Sequence, residues 1–181
     1  RQRYGVQGIE QVKKCFVAIS EAAGGSDPAR KIKTRARRDG DDYVINGTKM
    51  WITAAGEADW GIVFARTGEA GKGNGISAFI VDRELPGLTM REIGVIRSYS
   101  PFEVTFEDVR ISAENRLGGE GEGFAICQKW LVHARVPYAA GVIGVAQEAL
   151  RLAIDWAKQR HVHKSLLSDK QAIQWMIADS E

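Results

Sequence analysis

The chain has 181 residues, of which 44% are hydrophobic and 27% charged, and its 25 Lys plus Arg stand against 23 Asp plus Glu for a formal charge of +2. That composition excludes disorder and supplies a core for one or two domains, while near neutrality removes any general attraction to nucleic acid or an anionic membrane. The two cysteines, Cys15 and Cys127, fit no metal-ligand spacing and are too few for a disulfide scaffold, so a reducing compartment is the default reading.

No run approaches the ~18 apolar residues of a membrane span. The opening Arg1-Gln2-Arg3-Tyr4 lacks the apolar stretch of a secretory signal, so the chain is expected to be soluble and intracellular. It starts without Met and stops at Ala178-Asp179-Ser180-Glu181 inside a helical pattern with no terminating Gly or Asn, which gives the expectation of a piece of something larger.

From Cys15 to about Arg116, short runs rich in Val, Ile, Thr, Phe and Trp alternate with Gly, Asp and Asn, the pattern of strands. Cys15 to Ser20 reads as the first. Lys31 to Arg38 alternates basic residues (Lys31, Lys33, Arg35, Arg37) with Ile32, Thr34 and Ala36; the basic side reads as a solvated outer face in preference to an anion site. Asp39-Gly40-Asp41 turns the chain into Tyr43 to Ile45, and Asn46-Gly47 predicts a second hairpin turn into Thr48 to Thr53, giving a three-stranded meander.

Further strands are predicted at Trp60 to Arg66, Ile76 to Asp82 and Glu103 to Val109, with loops at Gly68 to Gly75 and Leu85-Pro86-Gly87. Strands succeeding one another without helices imply an antiparallel sandwich or barrel.

At Leu117 the character changes. Gly119-Glu120-Gly121-Glu122-Gly123 has no strand closely before it in a βαβ setting and no Gly-Lys-Ser/Thr ending, so it reads as a mobile linker in preference to a phosphate cradle. From Phe124 apolar residues recur at helical spacing through Trp156, predicting one long helix kinked at Pro137. Ser168 with Gln171 reads as a capping box opening a second helix whose buried face is Ile173, Met176 and Ile177. Two helices cannot bury both faces alone, so more helices or partner subunits are expected. The fold class is thus α+β: an antiparallel β-barrel or sandwich domain over residues 1–117, then helices of an incomplete bundle over residues 118–181.

The chemistry concentrates in two segments. In Ala18 through Asp27 a strand ends in Ser20-Glu21 and then a turn of small residues offers backbone N–H groups and the Ser26 hydroxyl, suited to an anion or a polar ring edge or, alternatively, to a plain Asx- or Ser-type turn. The second segment is Asn46-Gly47-Thr48-Lys49-Met50-Trp51-Ile52-Thr53; on its own, Trp51 there reads as a core aromatic. Neither His133 nor His161 has companions for a metal site, so no metal is expected.

Together these segments resemble the acyl-CoA dehydrogenase family. Ala18 through Asp27 follow its first signature, with Ala22 where Pro is usual and Arg30 at a normally small last position. Gly47 through Thr53 resemble its Gly-x-Lys-x-Trp-Ile-Thr strand, and Phe106-Glu107-Asp108-Val109-Arg110-Ile111 with Asn115 and Leu117-Gly118 resemble its end-of-barrel motif. The resemblance runs over essentially the whole chain. It implies flavin adenine dinucleotide (FAD) as cofactor, with Ile19 and Ser20 at the flavin's pyrimidine edge, Ser26 at the pyrophosphate and at the pantetheine of the substrate, and Trp51, Ile52 and Thr53 along the ring system. Arg135 matches an Arg near the substrate, and Arg160 matches the Arg of Arg-x-x-Phe-Gly, which reaches a neighbouring subunit's FAD; His163 and Lys164 stand where Phe and Gly are usual.

The implied reaction is oxidation of an acyl-CoA thioester to its 2,3-enoyl form, with electrons passed to an electron-transfer flavoprotein by a homodimer or homotetramer. The compartment would be the cytoplasm in a bacterium or the mitochondrial matrix in a eukaryote. The base is expected as a Glu beyond Glu181, because the position before Arg135 is Ala134. An acyl-CoA oxidase, or a non-catalytic module binding a CoA ester or flavin, are the alternatives.

Overall fold

The computed structural model describes residues 2–10, 13–68, 75–96 and 99–181. The chain divides into two compact units, Arg1–Gln128 and Lys129–Glu181.

In the first unit, eight strands form one sheet: β1 Cys15–Ala18, β2 Arg35–Asp39, β3 Asp42–Ile52, β4 Trp60–Arg66, β5 Ile76–Asp82, β6 Leu88–Glu92, β7 Phe102–Ser112 and β8 Arg116–Leu117. Their order is β6-β7-β3-β2-β4-β5-β8, with β1 paired to β4. Most ladders are antiparallel, but β1 runs parallel to β4 from Trp60 to Val63 and β2 meets the same strand in parallel at Arg66. The wholly antiparallel expectation is corrected here. The chain between β1 and β2 makes an excursion through a one-turn helix, Pro28–Lys31, and so returns in the same direction. That helix also shortens the expected strand over Lys31 to Arg38, which begins only at Arg35.

Alternation then sorts the side chains. Ile32, Thr34 and Ala36 are buried while Lys31, Lys33, Arg35 and Arg37 stay in water. Phe16, Tyr43, Ile45, Val63, Phe79, Val81, Val104, Phe106 and Val109 form the centre of the core, and the Tyr43 and Phe79 rings meet with centroids 4.9 Å apart. Each large apolar side chain buried there stabilises the fold by roughly 1.5–3 kcal/mol. Leu88–Glu92, given no element by the sequence pattern, is a strand on β7. Its polar residues face water at the sheet edge, which hides the apolar alternation. Of the loop predicted from Gly68 to Gly75, residues 69–74 lie outside the described residues.

The predicted turn at Asn46-Gly47 does not exist: β3 runs through it unbroken. The Asn46 amide is spent across the ladder instead, its Nδ2 donating to Asp108 Oδ1 at 2.9 Å and its Oδ1 accepting from the Asp108 N–H at 2.9 Å. Asp108, at φ 50°, is the extra residue of a bulge in β7, where Ile45 faces Val109 but Gly47 faces Phe106. A second bulge lies in β3 itself: Lys49 faces Val104 and Ile52 faces Phe102, leaving Met50 and Trp51 opposite Glu103. Gly47 serves close approach, because a Cβ there would stand 2.6 Å from the Thr34 Cα.

The Gly119 to Gly123 segment is no free linker. Gly121 N–H donates to Ser77 Oγ at 2.9 Å, Glu120 accepts from the Tyr43 hydroxyl at 2.7 Å, and Glu122 bridges to Ile76. A Cβ on Gly123 would lie 2.6 Å from the Ser77 carbonyl carbon, so glycine lets the helix start against β5. The helical pattern alone does not report this packing.

Helix α1, Gly123–Ala157, is 35 residues long and its helical assignment continues through Pro137. In the second unit a short hairpin pairs His161–Val162 with Ser165–Leu166. Helix α2 then spans Gln171–Ser180. The predicted cap is corrected: Lys170, not Ser168, precedes the helix, and Leu167–Asp169 forms a 3₁₀ turn closed by the Leu166 N–H donating to Asp169 Oδ2 at 3.0 Å. No side-chain cap is bonded to α2 among the described residues; Asp169 closes the turn before it instead. The face predicted to be buried is not buried within this chain: Met176 is exposed and Ile173 and Ile177 are half-buried. Val142, Val145, Leu152 and Trp156 of α1 are likewise exposed.

The hairpin turn is strained, with His163 at φ 55° and Lys164 at φ 98°. Lys164→Gly is expected to raise stability by about 1 kcal/mol, since glycine relieves a left-handed backbone at some cost in unfolded-state entropy. A rise in the urea midpoint at unchanged slope is the measurement.

Candidate functional site

Beyond Ala18, the chain leaves β1 with Ile19 and Ser20 half-buried and Glu21 turned inward at 7% exposure. A tight turn follows, with Gly24 N–H donating to the Glu21 carbonyl at 3.0 Å. The Ser20 hydroxyl lies against this turn, 4.0 Å from where a Gly25 Cβ would stand.

Glu21 is the hub. Its Oε2 accepts from the Lys33 N–H at 2.7 Å, and its Oε1 accepts from the Thr34 N–H at 3.0 Å, the Thr34 hydroxyl at 2.7 Å and Lys49 Nζ at 2.9 Å. Lys49, wholly inaccessible on β3, also donates from Nζ to the Ile19 carbonyl at 3.0 Å. One residue on, Met50 N–H donates to the Ser20 carbonyl at 2.9 Å. The two motif segments are therefore locked side by side.

Burial by itself would raise the Glu21 carboxyl, but the Lys49 charge and the donors around it hold it below the ordinary carboxylate range. Burial pushes Lys49 down to about 8, against the Glu21 carboxylate that favours its charged form.

At the end of this locked strand the bulge reverses the alternation. Trp51 takes φ 65° and presents its indole to solvent at 54% exposure, Thr53 is exposed beyond it, and Ala54 follows at φ 63°. A bulky residue in the left-handed region costs roughly 1–3 kcal/mol and persists only where the surroundings impose it. Beside Thr53 opens a cleft of about 400 Å³ lined by Ala54, Glu57, Glu92, Tyr99, Ser100 and Phe102.

Ser20, Trp51 and Thr53 thus belong to one connected stretch of the first unit, joined through the Ser20–Met50 bond. Ser26 is exposed after the turn, and the Ile52 side chain is in the core at 2% exposure, which leaves only its main chain for a ligand. Arg135 and Arg160 are exposed residues of the second unit. Glu148 and Asp155 both pair with Arg151 on the exposed surface of α1, at 2.6 and 2.7 Å.

Sequence reasoning missed Glu21 and Lys49 as partners. A signal existed: Lys49 shares strand parity with the inward Tyr43 and Ile45, and a lysine at an inward position demands a buried anion.

Residues 16–109 match the family model described as acyl-CoA dehydrogenase, middle domain, and residues 121–181 match the acyl-CoA dehydrogenase, C-terminal domain. The chain belongs to the acyl-CoA dehydrogenase family. Short-chain specific acyl-CoA dehydrogenases, mitochondrial, from Rattus norvegicus and Homo sapiens are each 43% identical over 169 residues, covering 91% of this chain and 40% of theirs. The chain thus spans about 40% of the length of these curated relatives.

Among solved structures, a probable acyl-CoA dehydrogenase from Mycobacterium abscessus superposes with a TM-score of 0.94 at 32% identity, over 99% of this chain and 48% of that one. Butyryl-CoA dehydrogenase from Megasphaera elsdenii gives 0.92 at 35% identity, over 99% and 48%. The α+β class, a sheet domain followed by helices, is that of these acyl-CoA dehydrogenases.

The donor set fits a flavin. An outward indole offers a flat apolar face, and the Ser20 and Thr53 hydroxyls with the main chain of the turn offer hydrogen bonds to a polar ring edge.

Proposed function

We propose that this chain is the flavin-binding portion of an FAD-dependent enzyme that oxidises an acyl-CoA thioester to the 2,3-enoyl-CoA. The observation that carries this reading is the Met50–Ser20 hydrogen bond, which sets a hydroxyl-bearing turn beside an outward indole in a family whose solved members include a glutaryl-CoA dehydrogenase in complex with FADH2. When bound, the flavin supplies a two-electron acceptor for hydride from the substrate carbon.

In this reading the Trp51 indole covers the ring system and keeps water from it. Ile19 and Ser20 orient the pyrimidine edge, and Thr53 with the Ile52 main chain donates along the ring, where negative charge is stabilised. Ser26 holds the pyrophosphate and the pantetheine of the substrate, Arg135 borders the acyl-CoA, and Arg160 reaches FAD in a partner subunit.

Glu21 does not serve as the base: four donors saturate it in a buried site. Glu148 and Asp155 are engaged with Arg151. As the family resemblance implies, the general base is assigned to a Glu beyond Glu181. The exposed apolar faces of α1 and α2 support a homodimer or homotetramer. We assign residues 1–117 to flavin binding and residues 118–181 to the opening of the helical domain. An electron-transfer flavoprotein is the proposed acceptor, and the mitochondrial matrix or bacterial cytoplasm the proposed compartment.

The visible absorption spectrum of the full-length protein, taken anaerobically with butyryl-CoA, tests the reading. A flavin spectrum that bleaches is expected; colourless protein that takes up no FAD overturns it. A bound flavin that never bleaches with any acyl-CoA favours a non-catalytic binder, and rapid reoxidation by oxygen favours an oxidase.

Trp51→Ala is expected to raise the FAD dissociation constant about tenfold, the worth of one aromatic stacking interaction. The urea midpoint should move little, because the indole is already exposed. Parallel losses in both would assign Trp51 to the core.

A further inference from the structure

The sheet leaves a gap in its own wiring. β1 and β2 follow one another along β4, while β3 pairs with β2 and β7, so no ladder among the described residues joins the exit of β1 to β3. Yet Ile19 and Ser20 come from that exit, and Trp51 and Thr53 from the end of β3. The two groups lie together through Lys49 Nζ bonding Glu21 and the Ile19 carbonyl, and through Met50 N–H bonding the Ser20 carbonyl.

We propose that Glu21 and Lys49 are positioning residues for the flavin, a buried ionic clamp that fixes the Ile19–Ser20 turn against the Trp51–Thr53 bulge. The proposal rests on the flavin reading above and adds to it residues that do not face the ring. Glu21 is itself held by the Lys33 and Thr34 amides ahead of β2, so the clamp refers both ring-facing segments to the centre of the sheet. Thr34 is in turn pressed against Gly47, two residues before Lys49.

Bulk stability does not account for such a pair, because well-packed apolar residues of similar volume serve stability as well or better. Directional bonds do what apolar packing cannot. Lys49 spends two donors on two atoms of one turn, which fixes the turn's distance and rotation together. The nearby Arg66, buried and donating to the Ile32 and Ala29 carbonyls, secures the far side of the same excursion. A conformer in which the turn slides along β3 would carry Ser20 away from Trp51 while leaving every strand ladder intact.

The test compares wild type, the charge-free double variant Glu21→Gln with Lys49→Met, and the single variant Glu21→Gln, in the full-length protein. The double variant removes both charges at nearly constant volume. It is expected to exchange its Met50 amide hydrogen about tenfold faster while the Val44 and Ile45 amides, inside the β2–β3–β7 ladders, keep their wild-type protection. FAD affinity should fall about tenfold, and the visible circular dichroism of bound flavin should change.

The single variant keeps one oxygen for Thr34 and Lys49 and is expected to show the same pattern at about threefold amplitude; it decides the matter if the double variant does not fold. Wild-type values for flavin affinity and dichroism in a folded variant overturn the positioning role even where the Met50 amide loosens. Wild-type protein that takes up no FAD overturns the flavin reading itself, so the two failures are told apart.

Discussion

Glu21→Ala is expected to lower the unfolding free energy by about 3–5 kcal/mol, the cost of stripping one partner from a buried ion pair. The variant leaves the inaccessible Lys49 ammonium without its anion and deprives the Lys33 N–H, the Thr34 N–H and the Thr34 hydroxyl of their acceptor. Each of those donors was desolvated against a carboxylate, and no other acceptor among the described residues is bonded to them.

The pH dependence gives the loss a signature. In wild type the folded Glu21 carboxyl titrates below the ordinary 4.5. As pH drops through 4.5 the unfolded chain takes up a proton there and the folded chain does not, so the unfolded state binds more protons and stability falls until the folded value is reached. Glu21→Ala lacks that acid limb. In the variant Lys49 has lost the charge that favoured its protonated form, so it moves further below its wild-type value of about 8. Between that lowered value and the unfolded 10.5 the unfolded chain holds a proton that the folded chain has released, and stability rises with pH there. Urea unfolding of both proteins across the acid and alkaline range checks both slopes. A loss under about 1 kcal/mol, or slopes alike in the two proteins, would show that Glu21 is not the hub described here.

Gly47→Ala is expected to cost about 3 kcal/mol, from two sources that add. The backbone there has φ 139°, outside the range of residues with a Cβ, and the new methyl would meet Thr34 Cα at 2.6 Å and Oγ1 at 2.7 Å. Thr34 cannot retreat, because its amide and hydroxyl both serve Glu21. A second variant separates the sources: combining Gly47→Ala with Thr34→Ala removes the hydroxyl clash but leaves the dihedral and the clash with the Thr34 main chain, so only part of the loss should return. Full recovery would place the whole cost in the clash with the hydroxyl. Thermal unfolding of the three proteins makes the comparison.

Several elements were legible because their signals are local. Trp60 to Arg66 and Ile76 to Asp82 are apolar runs bounded by turn residues, and both are strands over those residues. The Asp39-Gly40-Asp41 turn announced its hairpin, and the long helix declared itself by period. Asn46-Gly47 misled for a physical reason: the same side chain that stabilises a tight turn also bridges a bulge, and only the position of Asp108, 62 residues away, decides between them. The parallel course of β1 was hidden likewise, since nothing in Cys15 to Ala18 says which edge will receive it.

At the site, the ring-facing candidates came from motif resemblance, whereas Glu21 and Lys49 required knowing that two non-adjacent segments share an interior. Ser168 shows the opposite limit: the cap pattern was present, but residues 167–169 close into a 3₁₀ turn of their own and the helix starts after Lys170 with no side-chain cap.

The two bulges of β3 and β7 act on facing like a plus-one and a minus-one shift in a coded message. Asp42 opposite Ser112 and Ile52 opposite Phe102 are in phase at the two ends, while the stretch from Gly47 to Lys49 is read one step out. Deleting Trp51 alone would leave Lys49, Met50 and Ile52 facing Val104, Glu103 and Phe102 one to one, a regular ladder with Ile52 still inward. Deleting Trp51 and Asp108 together would leave a regular ribbon with neither bulge and no indole at its end. Such a ribbon keeps its strand pairing and loses its outward ring, so kinship in shape alone does not guarantee the site.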